Sequence, residues 1–355
     1  MRNWFFQSGF GFWFKNAFAF FLGLIFVLTG LFLAQFIYVR SMGVQPNQVS
    51  QEVTTMDYFD TTSRTYGWIA RPNVRSTVTR FLEHWPIYEY TLKTDNFGRR
   101  VVFPGNEKPQ KEQFLIYLGC SLMFGQGLED EATLDYQLTR RLKRYQSYNY
   151  SVPGYGLGHV LAQAQNIDFA KQIPQRQGLI VYLYPTFHID RMVGGLETID
   201  WSGGLPYFRL EGDNLVRDGF VHEERYIYAA AERLYNKTFL RRSFNLAWPF
   251  QIDRDDLELA CKAISEVKQR ISSQFDESRF LLVLHPHSVG KDLSFCLAKY
   301  GIEWLDMRGS QRGYRIQDMG IKGDGHPTEL ANKLTAEGIA QYLNSREKNH
   351  VGTWN

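Results

Sequence analysis

The sequence predicts a three-layer α/β/α domain built on a five-stranded parallel sheet and preceded by one membrane-length helix. Three observations carry this. From Phe114 onward, short strand-forming runs alternate with helical periods, the pattern of a parallel sheet covered on both faces. The first of those runs stops at Gly119, whose conformational freedom lifts Cys120 and Ser121 off the strand's carboxyl end, where α/β proteins put their chemistry. Finally, Ala17–Val39 carries no charge. As a helix it reaches about 34 Å at roughly 1.5 Å per residue, enough for a hydrocarbon core of about 30 Å.

That run is too long for a signal-peptide core and has no small-residue cleavage site behind it. Arg2 and Lys15 precede it and Arg40 follows, so the positive-inside rule directs the amino-terminal tail to the cytoplasm and the rest of the chain to the far side. Trp4, Phe5, Phe6, Phe12, Trp13 and Phe14 suit the membrane interface at the entry end. With 355 residues, 44% of them hydrophobic, the chain has material for one ordinary domain besides this helix. Residues 1–40 hold three of the 40 basic residues and none of the 37 acidic ones. The remainder is therefore neutral, and composition excludes a basic field for nucleic acid. The three cysteines, Cys120, Cys261 and Cys296, are too widely spaced to read as a disulfide framework or a metal motif.

Residues 41–112 read as a polar linker followed by short β segments. VRSTVTRFLE and YEYTLKTDNFGRRVVF alternate with period two across a turn at Thr94-Asp95-Asn96. Residues 113–348 then form the α/β domain. Its strands are expected at Phe114–Leu118, Tyr148–Val152, Leu179–Tyr184, Phe280–Leu284 and Ile302–Asp306. Helices are expected at Glu131–Tyr145, His159–Gln172, Asp256–Phe275 and Leu293–Tyr300, with a last one from Pro327. The long insertion at 190–278 contains a hairpin, PYFRLEGDNLVRDGF, and an aromatic-rich helical stretch from Glu223 to about Arg242.

The chemistry concentrates in two places. Ser121 sits in YLGCSLMFGQG, and Asp324-Gly325-His326-Pro327 lies directly before the last helix. Asp324 and His326, two residues apart on one loop, suit a carboxylate holding Nδ1 while Nε2 faces a serine. The order Ser, Asp, His is a usable triad. Met123 stands where the G-x-S-x-G elbow needs its second glycine, which argues against an α/β-hydrolase.

The blocks GCS, LMFGQGLEDEATL, NYSVPGYG and DGHPTELANKL together resemble the SGNH/GDSL hydrolases, over about two thirds of the chain. The resemblance implies a flavodoxin-like sheet, Ser121 as nucleophile and Asp324 and His326 as acid and base. It also implies an oxyanion hole formed by Ser121, Gly154 and a side-chain donor. Two positions depart from the pattern. Cys120 replaces an aspartate, and His188, in YPTFHIDR, stands where an asparagine is usual. A histidine N–H can serve in its place. Members with a comparable amino-terminal extension imply that residues 41–112 form a flap on the domain, or a docking surface.

Neighbours on an extended segment point opposite ways, so Cys120 does not share the base of Ser121. His285 and His287 form an H-x-H without a third ligand, so no metal is expected, and no cofactor. The reading is a membrane-anchored serine esterase acting on acyl, including O-acetyl, esters of a small molecule or polysaccharide. Two alternatives use the same scaffold: an O-acyltransferase for envelope polysaccharide, and a decayed, non-catalytic scaffold.

Overall fold

The computed structural model describes residues 5–41, 50–103, 111–212, 214–288, 290 and 292–351. The described chain divides into two compact units. One comprises the amino-terminal helix with Leu234–Trp248, and the other comprises Val49–Arg233 with the chain from Pro249 onward.

In the first unit, helix α1 runs from Phe5 to Ser41, and Asn16–Gln35 is long and apolar enough to cross a membrane. Phe18, Phe20, Phe26 and Phe32 are exposed along it, as befits a helix with no polar face to turn outward. Trp4 lies outside the described residues, and so do the side chains of Phe5, Phe6, Phe12, Trp13 and Phe14. Residues 42–49 of the expected linker lie outside them too.

The second unit begins with an antiparallel sheet of β1 (Ser50–Thr54), β2 (Arg75–Leu82) and β3 (Trp85–Lys93), in the order β1-β2-β3. The hairpin turns at Glu83-His84, with Leu82 facing Trp85 and Glu83 at φ 59°. The expected turn at Thr94-Asp95-Asn96 also exists, closed by Asp95 Oδ1 accepting from Phe97 N and Arg99 N. The strand expected beyond it shrinks to isolated bridges of Arg100 with Thr94 and Asn149. The reason lies in Arg100, whose buried guanidinium turns inward to the carbonyls of Phe124, Gly125 and Leu128 and to Asp130.

The α/β core then follows. β4 is Gln113–Leu118, α2 Ser121–Phe124, α3 Leu134–Arg141, β5 Tyr145–Asn149 and α4 Leu157–Asn166. β6 is Gln177–Tyr184, α5 Phe187–Val193, and the hairpin β7–β8 spans Pro206–Glu211 and Asn214–Phe220. After α6 (Tyr226–Asn236) and α7 (Phe239–Phe244) come α8 (Arg254–Ser272), β9 (Glu277–Leu284), α9 (Ser294–Leu297), β10 (Trp304–Asp306) and α10 (Glu329–Val351).

The parallel sheet has the order β10-β9-β6-β4-β5, so the strand order reverses between β4 and β6. Ligands of open α/β sheets bind in the crevice at such a switch point. Period-two burial separates the two faces. Ile116, Leu118, Ile180, Tyr182 and Leu282 pack with α4 and α8. Leu115, Tyr117, Val181, Leu183 and Val283 pack with α3 and α10.

Three local expectations are corrected. The second core strand runs Tyr145–Asn149 rather than Tyr148–Val152, with Gln113 facing Tyr145. Asn149 ends it, because its amide reaches Met123 O at 3.2 Å and its Oδ1 accepts from Ser151 N at 3.1 Å. The helix expected over His159–Gln172 breaks at Ile167, and Asp168 caps a new turn by accepting from Lys171 N. Cys261 of α8 and Cys296 of α9 form a disulfide, with Cα atoms 6.0 Å apart. Their sequence spacing did not reveal this, because the packing of two helices brings them together.

Candidate active site

β4 delivers the serine. Gly119 follows it at φ +154°, and a Cβ there would lie 3.1 Å from Met123 Cβ and 3.3 Å from Leu183 O. The turn therefore needs glycine. Ser121 opens α2, and Gly125 closes that short helix in the left-handed conformation with its N–H on Ser121 O. The first N–H groups of a helix have no partner within it, so Ser121 presents its own N–H beside its hydroxyl. The residue is nearly buried, at 7% exposure.

The second component is the turn before α10. Ile321 O accepts from Asp324 N and Gly325 N, and Ile321 N donates to His326 O at 2.7 Å. This closed loop directs Asp324 Oδ1 onto His326 Nδ1 and, at 3.3 Å, onto His326 N. The Asp324 side chain is 1% exposed and that of His326 18%. Burial alone would raise the Asp324 carboxyl. The hydrogen bond and charge of His326, with the charge of Arg80, outweigh burial and hold it below the ordinary value. An ionised Asp324 keeps the proton on Nδ1 and leaves Nε2 as a lone-pair base.

The two components are packed together. Phe124 of α2 and Ile321 share one apolar cluster. A Cβ on Gly127 would meet Ile321 Cδ1 at 2.8 Å, and Asn332 Nδ2 donates to Ala132 O at 3.0 Å. The segment after the serine thus lies against the segment that carries the histidine.

The amino-terminal extension supplies what sequence reasoning missed. Arg80 of β2 lies 3.2 Å from Asp324 Oδ2. Its Nε makes no directed hydrogen bond, so the contact is ionic. Gln126, just beyond α2, donates to Tyr88 OH at 3.2 Å and to Glu52 Oε2 at 3.3 Å. Burial first, and then the nearby Asp324 charge, push the Tyr88 hydroxyl up to about 12, so it stays protonated. Nothing in VRSTVTRFLE distinguished Arg80 from any cation on an alternating strand.

Gly154 lies in the turn after β5 at φ +85°, with Trp68 laid across it. A Cβ there would come within 2.8 Å of Trp68 Cζ2, and the indole N–H donates to Pro153 O at 2.9 Å. Among the described residues, no acceptor is found for the Gly154 N–H.

His188 is turned inward. It is fully buried, its Nδ1 is 2.8 Å from Tyr182 OH, and its ring stacks on Tyr182. Burial, then the neighbouring Arg191, His159 and His285, hold it well below the usual histidine range, so the ring is neutral. Its Nε2 is buried and has no partner among the described residues. Cys120 is 1% exposed and packed into the core beside Arg191. His285 is buried, and burial, followed by His287, lowers it to about 3. With Ser288, which accepts from Thr186 N at 3.2 Å, its loop ties the ends of β6 and β9 together. Among the described residues, no three metal-ligating side chains cluster. Two clefts of about 290 and 200 Å³ lie beside β5, around Arg99 and Asn149, and neither is lined by Ser121, Asp324 or His326.

No family model matches the chain, and no curated protein matches it either. Solved structures do. The chain is similar to TesA at 13% identity and a TM-score of 0.38, over 65% of this chain and 98% of that one. It is similar to the acetyl xylan esterase Est2A of the rumen bacterium Butyrivibrio proteoclasticus at 10% identity and a TM-score of 0.41, over 68% and 66%. It is also similar to the lipase/acylhydrolase of Enterococcus faecalis at 12% identity and a TM-score of 0.35, over 66% and 96%.

Proposed function

We propose that this chain is a serine esterase of SGNH type, tethered to a membrane by α1. One observation carries the reading above the others. The imidazole of His326 is held through Nδ1 by a buried, ionised Asp324 on a loop packed against the serine-bearing segment. A scaffold whose chemistry had decayed has no reason to retain this arrangement.

The mechanism follows from the free atoms. His326 Nε2 takes the proton of Ser121 Oγ as that oxygen attacks an ester carbonyl. Negative charge develops on the carbonyl oxygen, and we assign the N–H groups of Ser121 and Gly154 as its donors. Collapse breaks the bond to the alcohol, which leaves with the proton from His326, and the acyl group remains on Ser121. Water then attacks the acyl-enzyme, giving its proton to Nε2, and the acid departs with the serine restored. The buried Asp324 carboxylate stabilises the imidazolium formed in each half.

The disulfide supports placing the domain on the extracytoplasmic side, since such bonds persist in oxidising compartments. The charges around α1 favour the same side. Incubating the protein with a fluorophosphonate and mapping the adduct by mass spectrometry tests the core of the proposal. An adduct on Ser121, together with hydrolysis of p-nitrophenyl acetate, is expected. Absence of both, in folded protein, refutes it.

A further inference from the structure

We infer that Leu234–Trp248 is a second membrane contact, a folded foot that lies in the bilayer interface beside the exit of α1. The inference rests on reading α1 as a membrane span, and it adds a lipid surface that this reading does not require.

The segment is built rather than loose. Lys237 N donates to Leu234 O and Thr238 N to Tyr235 O, which turns the chain at the end of α6. Thr238 then caps α7, its hydroxyl accepting from Arg241 N at 3.3 Å. Asn245 ends α7 in the left-handed conformation at φ 50°. Tyr235 OH donates to Leu246 O at 3.3 Å and folds the returning chain onto the start of the segment.

This ordered piece nevertheless shows several apolar side chains to the outside. Leu234 is 72% exposed, Leu246 44% and Trp248 73%. Lys237 is exposed among them. Tryptophan, leucine and a cation together are the composition of interfacial segments, in which the apolar groups enter the headgroup boundary and the cation stays at the anionic surface.

The position of the segment identifies lipid as the occupant. The apolar span ends at Gln35, and the Gln35 side-chain amide donates to Lys237 O at 3.4 Å. The first polar side chain at the exit of the span is thus bonded to the turn between α6 and α7. If α1 crosses the hydrocarbon core with Asn16–Gln35, the level of Gln35 is the bilayer boundary, and the foot is held at that depth.

The test uses the full chain in vesicles of phosphatidylcholine and phosphatidylglycerol. Single cysteines are introduced as Leu234→Cys, Trp248→Cys, Phe26→Cys and Ile316→Cys, each labelled with an environment-sensitive fluorophore. Native Cys120 is buried, and Cys261 and Cys296 are paired. Phe26 lies within the span, and Ile316 is 88% exposed on the other unit. Lipids carrying a nitroxide near the headgroup are expected to quench the labels at 234 and 248 at least about twofold more than the label at 316. A nitroxide near the chain end should act most strongly on the label at 26. If 26 is quenched while 234 and 248 behave like 316, the span stands and the foot is overturned. If 26 is not quenched, the spanning reading fails and the foot with it. Labels at 234 and 248 that are shielded from both lipid nitroxide and aqueous iodide would mean a protein covers the segment, which also overturns the proposal.

Discussion

Arg80, on a strand of the amino-terminal extension, lies 3.2 Å from one oxygen of Asp324, whose other oxygen holds the imidazole of His326. The carboxylate is thus shared between a neighbouring sheet and the histidine it orients. Arg80 is a positioning residue, acting on the site through Asp324. Arg80→Ala should lower kcat about tenfold with little effect on KM, because the imidazole loses part of its alignment. Arg80→Lys, which keeps a cation beside Asp324, should restore much of kcat. If kcat is unchanged in Arg80→Ala while stability to denaturant falls, the ion pair is structural only.

Ser121→Ala should reduce ester hydrolysis by at least roughly 10³-fold, while Cys120→Ala leaves most of it. The thiol is sealed in the core beside Arg191, and its loss should appear in stability instead. A Ser121→Ala protein that stays active and is silenced by thiol alkylation would reverse the assignment.

Two carboxylates make opposite contributions to the pH dependence of stability. Asp324 has a lowered folded pKa, so its contribution is present at neutral pH and is lost as pH falls below its ordinary value near 4. Asp135 is fully buried and accepts from Thr139, Ser147 and Asn149, yet burial raises it to about 6. Its folded pKa lies above the unfolded one, so its contribution is complete below the unfolded value and is lost as pH rises through about 6. Denaturant titrations between pH 5 and 8 should therefore show Asp135→Asn with a weaker pH dependence than the parent. An unchanged dependence would mean that Asp135 stays ionised throughout.

The sequence made legible those parts of the site that local geometry controls. The Gly119 turn, the serine after it and the i, i+2 pair in DGHP all follow from neighbouring residues. Arg80 did not, because its partner is chosen by how the β2–β3 hairpin packs on a distant loop. The second core strand was misplaced by three residues because it is an edge strand with a polar beginning, Tyr145-Gln146-Ser147, and gives a weak apolar signal. The cysteine pairing was hidden for the same reason as Arg80.

That pairing can be tested directly. The bond joins residues 35 apart in sequence. Closing a loop of that length removes unfolded-state entropy worth about 4 kcal/mol, with about 2–4 kcal/mol usual in practice. The double variant Cys261→Ala, Cys296→Ala should lose roughly that much in denaturant unfolding, with the chemistry at Ser121 retained at permissive temperature. A change below about 0.5 kcal/mol would show that the bond does not constrain the unfolded chain in this way.

His188 poses the sharpest question about the oxyanion hole. Its Nδ1 is engaged by Tyr182 OH, and a tyrosine hydroxyl donating there leaves the ring proton on Nε2. That nitrogen is buried with no partner among the described residues, and such a group requires an explanation, because an unmet buried donor costs about 1–3 kcal/mol. We propose that substrate binding uncovers it, and that its acceptor is then the oxygen that becomes negative during attack. On this account His188→Ala lowers kcat by roughly 10²–10³ with KM nearly unchanged. His188→Asn recovers much of the loss, since an amide N–H can occupy the same position. Tyr182→Phe lowers kcat to a lesser degree, because the tautomer is no longer fixed. A ring that serves only for packing gives a different pattern. His188→Ala would then lose stability to denaturant while kcat stays within about threefold, and the negative charge would fall to the N–H groups of Ser121 and Gly154.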